Sequence, residues 1–148
     1  MKTLHKIVTL CILVMSSYIT QAQVLSSSRP QLFRTVSERL PTATTELDKA
    51  FTAAEGASVK FKFYNFSFSG TITSSIKRYD NLHSVIIKSP SLNNTLLSIS
   101  KRINDDKTIT YVARIINEGY ADGYELVKSN DGSYAFNKIK TEMLIEDY

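Results

Sequence analysis

The feature that most constrains this chain is a change of hydrophobic period at Ser58. Upstream, Leu32, Phe33, Val36 and Leu40, and then Leu47, Ala50, Phe51 and Ala54, recur at the spacing of one helix face. Downstream, as far as Lys140, large apolar residues alternate with polar ones, the period of a strand with one face buried. Pro41 interrupts the helical stretch, Thr45 with Asp48 gives a start signal, and Gly56 gives a stop. The spacing predicts one broken helix or two short ones over residues 31–55, with a single apolar stripe that needs something to cover.

In the period-two region, Val59, Phe61 and Phe63 hold one parity, and Tyr64, Phe66 and Phe68 hold the other. A one-residue slip turns side chains to the opposite face, so a bulge or bend at Tyr64-Asn65 within a strand over residues 59–68 keeps all six large residues inward. Further strands are expected over residues 70–79, 82–88, 96–103, 108–116, 123–128 and 133–140. Asn104-Asp105-Asp106-Lys107 and Asn130-Asp131-Gly132 are strong hairpin links. Residues 118–123 join those two hairpins, and residues 141–148 read as a last helical turn anchored by Met143 and Leu144.

Short links between consecutive strands mean antiparallel pairing, and the lack of strand–helix alternation argues against a doubly wound fold. The expected class is therefore α+β. An N-terminal helical segment packs on a strongly bent antiparallel sheet of about seven strands, or plugs a small β-barrel of that size. A β-sandwich is the alternative.

Before this domain comes a leader. Lys2, His5 and Lys6 precede an apolar run of nine residues, 7–15, relieved only by Thr9. Small and polar residues follow as far as Ala22 and Gln23. That is the order of a secretory signal peptide, with cleavage expected between Ala22 and Gln23. The run is too short for a membrane span, which needs about 20 residues. Cys11 lacks the small residues a lipidation site requires just before it. The expected layout is a cleavable leader over residues 1–22, a Ser-rich flexible tether over 23–31, and one globular domain over 32–148. The mature chain is expected in the periplasm or outside the cell, without membrane insertion.

Leader removal leaves 16 basic against 14 acidic side chains, no Cys, and His83 as the one imidazole. Disulfides, thiolate metal sites, cysteine nucleophiles and multi-histidine metal sites are thereby excluded. No G-x-S-x-G accompanies His83, and no Gly-rich phosphate loop is present. Asp105-Asp106, Asp122 and Asp131 sit in or beside turns whose geometry accounts for them, and neither Asn/Asp cluster has calcium-loop spacing. Lys60, Lys62, Tyr64, Phe66 and Phe68 imitate a nucleic-acid platform, but a net charge of +2 on an exported chain favours an aromatic core with lysines in solvent. No cofactor, metal or nucleic acid is expected.

What remains is contact chemistry. Tyr120, Tyr124 and Tyr134 cluster around residues 118–126, and tyrosine offers contact area at low entropic cost. The competing explanation is cross-strand tyrosine pairing that stiffens the last hairpin. The stretch 89–95, with Leu92 and Asn93, is the longest polar excursion between strands, and loops on a rigid scaffold carry function. The expected function is thus a non-enzymatic exported binding module for another envelope or extracellular protein, a protease included. Leu92, Asn93, Tyr120 and Tyr124 are its candidate contacts. An accessory domain that pairs through a sheet edge is the second reading, and an enzyme the third.

Overall fold

The computed structural model describes residues 29–141. The expected leader, its Ala22–Gln23 junction, most of the tether, and the turn with Met143 and Leu144 lie outside the described residues. The elements are β1 (Arg39–Thr42), α1 (Thr44–Thr52), β2 (Ser58–Phe63), β3 (Phe66–Tyr79), β4 (Leu82–Ser89), β5 (Thr95–Ile103), β6 (Ile109–Ile116), β7 (Asp122–Lys128) and β8 (Tyr134–Lys140). All strands are antiparallel in one sheet of order β1-β8-β7-β6-β5-β4-β3-β2. The sheet curls into a half-barrel, and among the described residues there is no second sheet for it to face as a sandwich requires.

Two local readings are corrected. The phase slip at Tyr64-Asn65 is not a bulge within one strand but a two-residue hairpin. Phe63 pairs with Phe66, and Tyr64 takes a left-handed φ of 56°. Tyr64 consequently points into solvent, while Phe61, Phe63 and Phe68 stay fully buried. The following strand runs unbroken from Phe66 through Gly70 to Tyr79. Gly70 does not end a strand; it admits close packing. A Cβ there would sit 2.4 Å from the Lys88 carbonyl oxygen and 2.9 Å from Ile87 Cγ2. Register shifts between Ile72 and Ser74 and between Lys77 and Tyr79 bend this 14-residue strand and let the sheet curl.

The second correction concerns residues 31–43, which are not helical. They form turns and then β1, which adds an eighth strand to the seven supplied by the period-two region. Pro41 has no amide hydrogen for a helix, and it suits an edge strand. Only Thr44–Thr52 coils, with Leu47 and Ala50 on its buried face. Its first-turn cap is not a side chain. Asp48, expected to help start the helix, instead accepts hydrogen bonds at Oδ1 from Lys101 Nζ and Tyr111 Oη, both at 2.7 Å. Those bonds clamp α1 to β5 and β6.

The N-terminal segment is tied down rather than loose. Ala121 N donates to the Pro30 carbonyl at 2.9 Å. Asp122, only 3% exposed, accepts from Leu32 N at 2.6 Å and Phe33 N at 2.9 Å. This places the Phe33 ring edge-on against Tyr124 and Phe66, inside a core completed by Phe61, Phe63, Phe68 and Phe136. The two sheet edges are also guarded. Glu46 Oε2 accepts the outward Lys62 amide of β2 at 2.9 Å, and β1 carries Pro41.

Candidate functional site

The inner face of the half-barrel is filled, so the candidate site is sought on its outer face. Strand alternation puts Val85, Ile87, Leu97, Ile99, Tyr111, Ala113 and Ile115 inward. The intervening positions of β4, β5 and β6 point to solvent, and several of them are aliphatic. Val112 is 60% exposed, Leu96 42% and Ile86 37%. Leu96 pairs with Ile116, Ser98 with Arg114, and Ser100 with Val112. Serines set between larger aliphatics leave a trough. It is a groove of about 700 Å³ that includes Lys88, Leu96, Ser98, Ser100, Val112, Arg114 and Ile116 in its lining. A second concavity of about 390 Å³, lined by Ser74, Ile76, Arg78, Ser84 and Ile86 among others, shares Ser98 and Ser100 with it. The trough therefore spans β3 to β6. Its floor is pinned by a 2.8 Å hydrogen bond between the Ser84 and Ser100 hydroxyls.

One end of the groove is closed by a polar platform built from two loops. After β4 the chain makes a single 3-10 turn, Pro90–Leu92, and Asn93 and Asn94 then take left-handed φ angles of 53° and 64°. Asparagine tolerates that conformation. Asn93 Nδ2 donates to Tyr120 Oη at 2.7 Å. Asn117 Nδ2 donates to the Asn93 carbonyl at 2.8 Å and to Thr95 Oγ1 at 3.1 Å. Asn117 Oδ1 accepts from Gly119 N at 3.0 Å, which fixes the loop that carries Tyr120. The 89–95 and 117–121 loops thus form one rigid unit at the mouth of the groove.

Of the sequence-derived contacts, the structure brings Asn93 and Tyr120 together here. Leu92 is half-buried against the core from below. Tyr124 is a correction. Its ring is fully buried and its hydroxyl donates to the Ser37 carbonyl at 2.8 Å, so no face of it is open to a partner. Burial pushes its hydroxyl pKa upward. Tyr134 is likewise interior, with its ring edge-on to Tyr111 and its oxygen accepting the Tyr111 amide at 3.2 Å. Both are core residues rather than a cross-strand tyrosine pair, since β7 and β8 set Tyr124 opposite Lys138 and Tyr134 opposite Lys128, and contact chemistry is left to Tyr120.

The groove residues themselves were not singled out by sequence reasoning, although a signal exists. Val85-Ile86-Ile87, Leu96-Leu97, Tyr111-Val112 and Ile115-Ile116 are apolar on both parities. A half-buried strand has no need of apolar residues on its outer face.

His83, Asp48, Asp106 and Asp131 are not part of the groove lining. His83 faces the rim of the barrel, with Nε2 2.9 Å from Ser75 Oγ and its ring 5.1 Å from the Phe51 ring. Burial acts to raise the Asp48 carboxyl, but the hydrogen bonds from Lys101 and Tyr111 and the Lys101 charge outweigh it, leaving its pKa below the usual carboxylate range. Asp106 and Asp131 accept from the backbone and hydroxyl groups of Thr108 and Ser133, which close their own turns. Among the described residues no cluster of three His, Cys, Asp or Glu is placed to hold a metal, and no helix is long and apolar enough to cross a membrane. Comparison with protein families, with characterised proteins and with solved structures finds nothing that matches this chain.

Proposed function

We propose that this protein is an exported, non-enzymatic binding module that holds an extended segment of another envelope or extracellular protein in the outer groove of β3–β6. The observation that carries this reading is the set of exposed aliphatics Ile86, Leu96 and Val112, with half-buried Ile116, on adjacent strands beside a rigid Asn93–Tyr120 platform. Contiguous exposed apolar surface rimmed by polar groups marks interaction sites. Small residues in a groove floor suit an extended chain, whose side chains alternate between floor and solvent. Among the described residues Lys88 and Arg78 are the unpaired cations in the lining, Glu118 shares the lining with them, and Arg114 is already paired with Glu125 at 2.7 Å, so a mainly apolar segment is the complementary ligand.

The alternative of pairing through a sheet edge is less well supported, because Glu46 and Pro41 blunt both edges. An enzymatic reading would draw on the Ser75–His83 pair, but those residues lie at the barrel rim against Phe51, away from the groove.

The test is retention from the exported fraction of the producing cell by the immobilised chain and by its Val112→Arg variant. The reading requires a protein that is held by the original and lost by the variant, with both unfolding at the same midpoint. Equal retention by the two would overturn it.

A further inference from the structure

We infer that, when no foreign segment is bound, the outer groove is covered by the same groove of a second copy of this chain, in a weak face-to-face dimer. This rests on the groove being a binding surface, and it names what controls access to that surface.

A surface packs on its own copy about a two-fold axis only where each residue meets its complement across that axis. On this face β5 is the centre line, with β4 on one flank and β6 on the other. Rotation by 180° about an axis along β5 lays the β4 flank of one copy on the β6 flank of the other, row by row. In one row Ser84, Ser100 and Val112 lie side by side, so the exposed Val112 of each copy meets the notch over the small Ser84 of the other. In the next row Ile86 meets the aliphatic stem of Arg114, whose guanidinium is drawn away from the groove to Glu125 on β7. In the row beyond, Leu96 meets its own counterpart on the axis. Large thus faces small, and apolar faces apolar.

Charge follows the same exchange. Lys88 stands on the β4 flank beside Leu96, and Glu118 stands just beyond Ile116 on the β6 flank, at the same end of the groove. Two strand spacings set them about 10 Å apart across the sheet. Among the described residues neither side chain has an ion-pair partner. Glu118 is positioned through its backbone, since its carbonyl accepts from Arg29 at 2.7 Å and the neighbouring Asn117 is bonded to Asn93. The rotation brings Lys88 of each copy towards Glu118 of the other and makes two equivalent ion pairs. A foreign segment would have to supply both signs at this spacing, whereas a second copy supplies them by symmetry.

The dimer is weak for two reasons. Four strands at about 4.8 Å and seven residues at about 3.4 Å cover roughly 450 Å² of each copy. A standard interface covers about 800 Å² per partner. Arg102, towards the far end of β5, also approaches its own counterpart, although the crossing of aligned sheets at about 30° carries the two about 7 Å apart sideways. A foreign segment that binds more tightly therefore displaces the second copy.

The test is sedimentation equilibrium of the full chain and of its Lys88→Glu and Glu118→Lys variants, both at exposed positions. The unaltered chain should pass from monomer towards dimer as its concentration rises to about 1 mM. Each variant alone opposes like charges at both contacts and should dimerise at least about 10-fold more weakly. An equimolar mixture of the two variants opposes unlike charges at both contacts and should regain the original dimerisation. Residues 1–28 are the same in every chain, so association through them would not follow the charges. An unaltered chain that stays monomeric would overturn the inference, as would single reversals without effect or a mixture no tighter than its components. The measurement involves no foreign protein. A monomeric chain with Val112-dependent retention therefore counts against the dimer alone, and a dimer without such retention counts against the proposed function alone.

Discussion

Replacing Asp122 with Ala should cost about 3 kcal/mol of stability, because its carboxylate holds two backbone amides of the N-terminal segment against the barrel. Its two oxygens take the amides of Leu32 and Phe33 at 2.6 and 2.9 Å, in a site where Asp122 itself is 3% exposed. An amide left buried without a partner costs roughly 1–3 kcal/mol. The Phe33 amide is buried and the Leu32 amide half-buried, so about 2 and about 1 kcal/mol are assigned to them. If the segment detaches altogether, the Phe33 ring leaves the core as well, and the upper bound rises by about 3–5 kcal/mol. Asp122→Asn keeps one acceptor and turns an NH2 group towards the second amide, so it should lose about half as much as Ala. The assay is urea unfolding followed by far-ultraviolet circular dichroism. With a slope of about 2 kcal/mol per molar, the midpoint should fall by about 1.5 M for Ala. A shift of less than about 0.5 kcal/mol, or equal shifts for Asn and Ala, would refute the clamp.

Other perturbations separate fold from site. Gly70→Ala places a methyl 2.4 Å from the Lys88 carbonyl oxygen, so β3 and β4 must part, at a cost of about 1–3 kcal/mol or more in the same urea assay. Tyr124→Phe removes only the hydroxyl bond to Ser37 and should cost about 1 kcal/mol, leaving the near-ultraviolet spectrum of the remaining rings unchanged. Asp48 has a lowered folded-state pKa, so its contribution to stability is present above its unfolded value of about 4 and is lost as pH falls through the folded value. Asp48→Asn should flatten the acid limb of a stability–pH profile below about pH 4, and an unchanged limb would count against the clamp on α1. Val112→Arg, at an exposed position, should change stability by less than about 0.5 kcal/mol while changing what the protein binds.

The sheet was legible because its turns are written in residues with one favoured geometry. Asn104 to Lys107 and Asn130 to Gly132 close the hairpins expected of them, and the alternation of Leu97, Ile99, Tyr111, Ala113 and Ile115 marks the buried face. The N-terminal segment was misread because Leu32, Phe33, Val36 and Leu40 have helical spacing but no helix to sit in. Their positions are set by Asp122, about ninety residues away, and by Pro41 within β1. Such a tertiary bond leaves no local trace. Tyr64-Asn65 shows the opposite difficulty. The phase slip is visible in the sequence, but a bulge and a two-residue hairpin produce the same slip, and only the pairing of Phe63 with Phe66 separates them.

The site was half legible. Asn93 and Tyr120 stood out as polar and aromatic loop residues, and 27 positions of separation hid that they touch. Tyr124 has the same chemistry in sequence as Tyr120, yet it falls on the inward parity of β7. The groove arises from outward residues on four strands, so it depends on register, which no single strand reveals. Ser84, Ser98 and Ser100 are unremarkable in sequence. They form a trough only because β4 and β5 set Ser84 opposite Ser100, while Ser98 lies beside Arg114 on β6.

The most direct test of the outer groove as the working surface is site-specific photo-crosslinking in the producing cell. A benzophenone side chain is placed at Val112 in the groove or at Val127, which is also outward and exposed but lies on β7. A discrete adduct from position 112, absent from position 127, is the expected result. Adducts of equal yield from both positions, or from position 127 alone, would contradict the account.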